Sequence, residues 1–314
     1  MAQEQQRLRP ADAAENPLAT GAAWVEGEVV PVREARIPLM DMGFVRSDAT
    51  YDVAHVWKGA FFRLNDHVDR FLRSVDRLRL KLPFDRAGLI RTLADLTLKT
   101  GLQDVYVAMI ATRGIPKPGT RDPRTADNRF YAFAVPFIYL ISKEKHAQGI
   151  NLHLSERIRI PPESVDPTVK NYHWLDLEMG LFDAYDRGAD TVVLVDAKGN
   201  ITEGPGFNLF AILDGKLITP DRGTLEGVTR RTALEIAKRV LNIPIVQGEI
   251  PAKRLHQAAE IFLTSTAGGI LPVTRLDGRP VSGGSIGPVT KRFEEAYWAW
   301  HADPEFSTPV NQLI

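Results

Sequence analysis

Between Thr50 and Leu78 the hydrophobic period of the chain changes from two to 3.6, and that change commits the fold to mixed strand and helix. In Tyr51-Asp52-Val53-Ala54-His55-Val56-Trp57, odd and even positions face opposite sides of a sheet. Lys58-Gly59 reads as the turn of a hairpin that returns through Ala60 to Arg63. Val68, Phe71, Leu72, Val75 and Leu78 then fall at helical spacing, and Asn65 is the expected cap of that helix.

The alternation continues along the chain. Trp24 to Val30 reads as a tight hairpin, and a second helix is expected from Asp85 to Thr100. Strands from Asp104 to Thr112 and from Arg129 to Pro136 flank Gly114–Asn128, a long loop rich in Gly, Pro and charge. Loops of that length are often functional. Pro136 to Gly149 is the expected boundary. Beyond it, strands near Ile150, Thr191, Phe207 and Ile261 alternate with helices at Trp174–Arg187, Thr229–Leu241 and Pro288–His301. The expectation is an α/β (α+β) chain: a polar arm over 1–20, a small α/β domain over 21–138 and a larger α/β domain over 139–314. Ligands commonly bind in the cleft between two such domains.

Composition excludes several classes. There is no cysteine, so disulfides, zinc ribbons and thiol catalysis are ruled out. Acidic and basic side chains balance at 39 each, which gives no reason to expect a nucleic-acid or membrane-surface partner. Met1 to Pro17 lacks the apolar stretch of a signal peptide, and the longest apolar run, Phe130 to Ile141, is too short to span a bilayer. A cytoplasmic location is expected. The seven histidines show no H-E-x-x-H spacing, so no metal site is expected.

The residues that carry chemistry are Lys170 and Glu203. A buried lysine can have its pKa lowered enough to form a Schiff base, and a carboxylate is the partner that a pyridinium nitrogen needs. Three further features suit a phosphate. Leu225-Glu226-Gly227-Val228-Thr229 leads into a helix whose first N–H groups and dipole favour an anion. Thr264-Ser265-Thr266-Ala267-Gly268-Gly269 ends a strand in a small-residue loop, and Arg70 can add a bidentate contact. Each feature has a plainer reading: a helix cap, a turn, and a helix charge paired with Asp66 or Asp69.

Taken in order, His67-x-x-Arg70, Lys170-Asn171, Glu203-Gly204-Pro205-Gly206-Phe207-Asn208, Gly227-Val228-Thr229-Arg230 and Thr266-Ala267-Gly268-Gly269 resemble the class IV (fold type IV) pyridoxal phosphate aminotransferases. Gly21 to Gly27, Ser47 to Trp57, Thr112-Arg113-Gly114 and Val169 to Leu177 are most similar to the (R)-selective amine transaminases. The resemblance covers about residues 21–300. It implies a two-domain architecture with pyridoxal 5′-phosphate in the interdomain cleft. The implied reaction is a ping-pong transfer of an amino group from an amine to a keto acid such as pyruvate, through a lysine aldimine. Lys170 would hold the cofactor and shuttle the proton. Glu203 would keep the ring nitrogen protonated. Arg70, Thr229 and Thr266, with the N–H of Val228, would bind the 5′-phosphate, Leu225 would contact the cofactor, and Trp174 would line the cavity. A homodimer is also implied.

For the substrate, the resemblance points to Tyr51, Val53, Tyr106, Ala108, Thr266 and Ala267, with Arg121 or Arg46 pairing with a carboxylate. Arg121, in the long loop, would swing out when an apolar group arrives; alternatively it is a loop charge paired with Asp122. Arg46 stands where many (R)-amine transaminases have His. His173-Trp174-Leu175 replaces the Gly-Asn-Tyr usual in branched-chain enzymes, and Tyr106 and Ala108 occupy the region where D-amino acid enzymes place Arg and His. Branched-chain or D-amino acid transamination remains the alternative, followed by an aminodeoxychorismate lyase or a non-catalytic cofactor-binding protein. Gly283-Gly284-Ser285-Ile286-Gly287 matches G-x-S-x-G, but Pro280-Val281-Ser282 is a poor strand and Pro288 more simply starts a helix.

Overall fold

The computed structural model describes residues 16–314, so most of the expected polar arm lies outside the described residues. The chain divides into two compact units. Among the described residues, the first comprises 16–138, Lys170–Tyr172 and Pro304–Ile314; the second comprises Tyr139–Val169 and His173–Asp303. Lys170–Tyr172 group with the first unit, although the residues on either side of them group with the second. The physical reason is backbone pairing: the Lys170 carbonyl accepts hydrogen bonds from the Thr50 hydroxyl at 2.7 Å and the Tyr51 N–H at 3.0 Å.

The strands of the first unit are β1 (Ala22–Val25), β2 (Glu28–Pro31), β3 (Ala49–Trp57), β4 (Ala60–Phe62), β5 (Val105–Ile115), β6 (Asp127–Pro136) and, from the end of the chain, β15 (Ser307–Pro309). They form an antiparallel sheet of seven strands in the order β15-β4-β3-β5-β6-β1-β2. A short helix, α1 (Met42–Arg46), precedes β3; α2 (Leu64–Arg77) and α3 (Arg86–Thr100) follow β4. Ala54, Val56, Val105, Val107, Phe130 and Ala132 form one core with Val68 and Phe71 of α2 and with Leu89 and Leu93 of α3. Both helices therefore cover one face of the sheet. Asp85 caps α3 through the Gly88 N–H at 2.7 Å, as Asp favours at that position. Asn65 does not cap α2. The helix already begins at Leu64, after Arg63 in the left-handed region (φ 51°), whose N–H is taken by the Phe306 carbonyl at 2.7 Å. The Asn65 side chain instead accepts from Arg86 at 2.9 Å.

The second unit holds β7 (Ile150–Ile158), β8 (Thr191–Val195), β9 (Asn208–Leu213), β10 (Lys216–Thr219), β11 (Ile245–Gln247), β12 (Glu260–Ser265) and β13 (Gly269–Leu276), in the order β11-β10-β9-β12-β13-β7-β8, with the short β14 (Arg279–Pro280) paired to β13. The order of helices is α4 (Lys143–Gln148), α5 (Leu175–Asp186), α6 (Val228–Ile236), α7 (Ala252–Leu255) and α8 (Pro288–Ala299). Strands β8, β9 and β12 are buried at every position. Both faces are covered: Leu209, Ala211, Ile261 and Leu263 join one core, while Phe210 and Phe262 stack at 5.1 Å and Phe262 meets Phe293 of α8 at 4.8 Å. Such two-sided burial makes a strand read as a continuous apolar run. The serine of G-x-S-x-G stands before α8, next to a 3₁₀ turn over Ser282–Gly284. Glu260 caps α8 through the Val289 and Thr290 N–H groups at 3.0 and 2.7 Å, and a Cβ on Gly287 would collide with that carboxylate at 2.0 Å. The glycine pattern there is explained by a helix start.

Among the described residues no helix is long and apolar enough to cross a membrane, and no group of three or more His, Cys, Asp or Glu could hold a metal ion.

Candidate active site

In the first unit, register decides which side chains share a face. β3 and β5 pair with Val53 opposite Ala108, His55 opposite Tyr106 and Tyr51 opposite Ile110. Directly opposed residues lie on one side of an antiparallel pair. Tyr51, Val53, Tyr106 and Ala108 therefore stand together on the face turned away from α2 and α3. Lys170 reaches the same face, with its Nζ 4.5 Å from the centroid of the Tyr51 ring. Tyr172 stacks on Tyr51 at 4.3 Å and 12°. Burial pushes the Tyr106 hydroxyl far above the ordinary phenol value, and Tyr51 adds to the shift. That phenol stays neutral.

Arg70 and Asp52 occupy the helix-facing side. The Arg70 Nε donates to Asp52 Oδ2 at 2.7 Å and its Nη2 to Oδ1 at 2.8 Å, with Arg70 only 4% exposed. His67 Nδ1 lies 2.8 Å from Asp52 Oδ1. Burial alone would push the Asp52 carboxyl up, but Arg70 and His67 outweigh it and hold it well below the usual carboxylate range. Burial lowers His67, and Asp52 only partly offsets that. The plainer reading of Arg70 as a solvated helix charge is corrected: its side chain is buried and forked onto Asp52, while Asp69 pairs with Arg86 at 2.9 Å.

The two candidate carboxylate clamps, Arg46 at the end of α1 and Arg121 in the loop between β5 and β6, are exposed. Neither side chain makes a hydrogen bond or ion pair with another described residue. The expected Arg121–Asp122 pair is corrected. A 3₁₀ turn over Pro123–Thr125 brings Arg124 onto Asp122, at 2.6 Å between Nη2 and Oδ2, and this hydrogen bond holds the carboxyl down to about 2.

In the second unit, Glu203 is buried and its backbone carbonyl accepts from Leu194 of β8 at 3.0 Å. Its Oε2 accepts from the Leu225 N–H at 2.8 Å and the Thr224 hydroxyl at 3.3 Å; its Oε1 accepts from the Arg159 Nε at 3.3 Å. Asn208, at the start of β9, ties the neighbouring loop down through Thr224 at 2.6 Å and the Leu225 carbonyl at 2.9 Å. A Cβ on Gly227 would strike Asn208 Oδ1 at 2.1 Å, so the loop needs glycine where it enters α6. Trp174 precedes α5, and its ring lies 3.7 Å from a Cβ built on Gly206. Thr266 and Ala267 form the turn between β12 and β13; the Ala267 carbonyl accepts from Leu140 at 2.8 Å.

These groups suit the cofactor that the resemblance implies. No side chain caps the N-terminus of α6, so the first-turn N–H groups of Val228 and Thr229 have no side-chain acceptor. The hydroxyls of Thr229 and Thr266 make no hydrogen bond to another described residue. An uncapped helix start with two uncommitted hydroxyls is the donor set that a phosphate takes. The buried Glu203 carboxylate is what a ring N–H takes.

Sequence reasoning missed Asp52, Arg159, Asp176, Asn208 and Tyr172 as parts of these arrangements. Asn208 and Tyr172 lie inside the quoted motifs, so adjacency could have flagged them. Asp52 also lies inside a quoted segment, whereas Arg159 carries no local signal, its partner Glu203 lying 44 positions along the chain.

A family described as Amino-transferase class IV matches residues 49–276. The chain is 28% identical over 286 residues to a branched-chain-amino-acid aminotransferase of Pseudomonas aeruginosa, covering 88% of this chain and 92% of the relative. It is 28% identical over 291 residues to a D-alanine aminotransferase of Staphylococcus aureus, covering 87% and 95%. The fold is similar to that of a branched-chain amino acid aminotransferase of T.th. solved with pyridoxamine 5′-phosphate, with a TM-score of 0.86 at 27% identity over 93% of this chain and 99% of that one.

Proposed function

We propose a function from one premise: the chain belongs to the class IV aminotransferases and works with pyridoxal 5′-phosphate. The proposed reaction moves an amino group from a primary amine, (R)-configured, to a keto acid such as pyruvate, in two half-reactions. When bound, the cofactor supplies the carbonyl that captures the amine and the ring that takes up the electron pair. Lys170 Nζ holds the cofactor and carries the proton. Glu203 faces the ring nitrogen and keeps its proton in place. The Val228 and Thr229 N–H groups and the Thr229 and Thr266 hydroxyls, together with Arg70, hold the phosphate, and Leu225 contacts the cofactor. Trp174 lines the cavity.

One observation supports an apolar amine as donor. On the Lys170 face, Tyr51, Val53, Tyr106 and Ala108 offer aromatic and small apolar surface, and none of the four carries a positive charge to pair with a donor's carboxylate. Arg121 or Arg46 then serves the keto acid. A homodimer in the cytoplasm is part of this proposal. The names of the relatives support a second reading, an α-amino acid donor of the branched-chain or D-alanine type. A donor panel separates the two: (R)- and (S)-1-phenylethylamine with pyruvate as acceptor, and D-alanine, L-alanine and L-leucine with 2-oxoglutarate as acceptor. The proposed reading requires the (R)-amine to be the fastest donor. A fastest turnover of L-leucine or D-alanine would establish the second reading instead.

A further inference from the structure

Glu203 does not stand alone in the second unit. Arg159, just past the end of β7, donates its Nε to Glu203 Oε1 at 3.3 Å. The same guanidinium turns its Nη1 to Asp176, at 3.0 and 2.7 Å from the two carboxylate oxygens, and to the His173 carbonyl at 3.4 Å. Asp176 is anchored in turn by the Ile160 N–H at 2.7 Å and the Leu177 N–H at 2.9 Å. The side chains of Arg159, Asp176 and Glu203 are 9%, 11% and 9% exposed.

We infer that Arg159, held by Asp176, is a positioning residue that sets how strongly Glu203 competes for the proton on the cofactor's ring nitrogen. This rests on the reading of Glu203 as the partner of that nitrogen. The physical argument has three steps. A cation bonded directly to a buried carboxylate stabilises its ionised form, so the carboxylate competes less for a proton. Because Arg159 touches Glu203, its charge acts on that carboxylate more strongly than on a group beyond it. Asp176 offsets part of the Arg159 charge, so the three side chains together keep one net negative charge to face one ring N–H. The fork of the guanidinium lets one side chain donate to both carboxylates, which a single ammonium cannot do with the same geometry. The Leu225 and Thr224 donors fix the second oxygen of Glu203, so the cluster sets orientation as well as charge.

The test is the ¹⁵N chemical shift of the ring nitrogen in protein reconstituted with ring-¹⁵N pyridoxal phosphate. Wild type is expected at the protonated position, and Glu203→Gln at the unprotonated one. Arg159→Gln should move toward the unprotonated position, because Glu203 then draws the proton to itself. Arg159→Lys should move the same way but less, as partial rescue. If wild type and Glu203→Gln coincide, the reading of Glu203 fails. If those two differ while a folded Arg159→Gln coincides with wild type, the role of Arg159 is overturned. Should the glutamine variant not fold, Arg159→Lys carries the test, and its coincidence with wild type overturns the proposal. A residue that only supported the fold would change cofactor occupancy or thermal stability without moving the ring-nitrogen signal of the protein that remains loaded.

Discussion

Arg70 grips Asp52 side-on across the space between α2 and β3, with both side chains buried and His67 on the same carboxylate. Removing Arg70 leaves a buried carboxylate without its main counter-charge, with only His67 and the Val53 N–H still on it. Arg70→Ala should therefore destabilise the first unit by about 3–5 kcal/mol, measured by denaturant unfolding, beyond any effect on cofactor. A loss within error of zero would mean that Asp52 is solvated in solution.

The same cluster predicts acid sensitivity. Asp52 is held below its ordinary value, so its contribution is fully present above about pH 4, the unfolded value, and is lost as pH falls through the folded one. His67 is also lowered. It favours folding as the neutral ring, so its contribution is full above about pH 6.5 and declines as pH falls toward its folded value. Unfolding free energy should drop as pH falls below about 6.5, and His67→Gln should flatten the upper part of that slope. Parallel slopes for the variant and wild type would contradict this assignment.

Lys170→Ala should abolish transamination. Borohydride reduction and peptide mapping of wild type should place the pyridoxyl group on Lys170 and on none of the other 11 of the chain's 12 lysines. A label elsewhere would remove Lys170 from the mechanism.

The hydroxyls of Thr229 and Thr266 are uncommitted to any other described residue. A hydrogen bond to a charged group contributes about 1.5–3 kcal/mol, so Thr229→Val and Thr266→Val should each weaken pyridoxal phosphate binding about ten- to a hundred-fold. Pyridoxal without its phosphate is the control, since its affinity should barely change. Equal losses for both ligands would argue for a general packing defect.

Arg121 and Arg46 are both exposed and unengaged with any other described residue, which suits a side chain that pairs with substrate in turn. Arg121→Ala should raise KM for pyruvate far more than KM for an arylalkylamine. If Arg46→Ala alone impairs pyruvate, the clamp is Arg46.

Much of this was legible in the residue string because it depends on near neighbours. Period two over Tyr51–Trp57 and helical spacing from Val68 to Leu78 correspond to β3 and α2, and the Glu203–Asn208 and Gly227–Thr229 segments hold their contacts largely within a few tens of residues. Local sterics and hydrogen bonding act over that range. What only the tertiary structure decided involves partners distant in sequence. Register put Val53 opposite Ala108 and so placed four side chains on one face. Pairing with Thr50 and Tyr51 drew Lys170 into the first unit, 120 positions from Thr50 along the chain. Burial turned Arg70 from its near acids to Asp52, and brought Arg159 to Glu203 across 44 positions. A buried charge takes whichever opposite charge the packing brings within reach, and one sequence alone carries no signal of that choice.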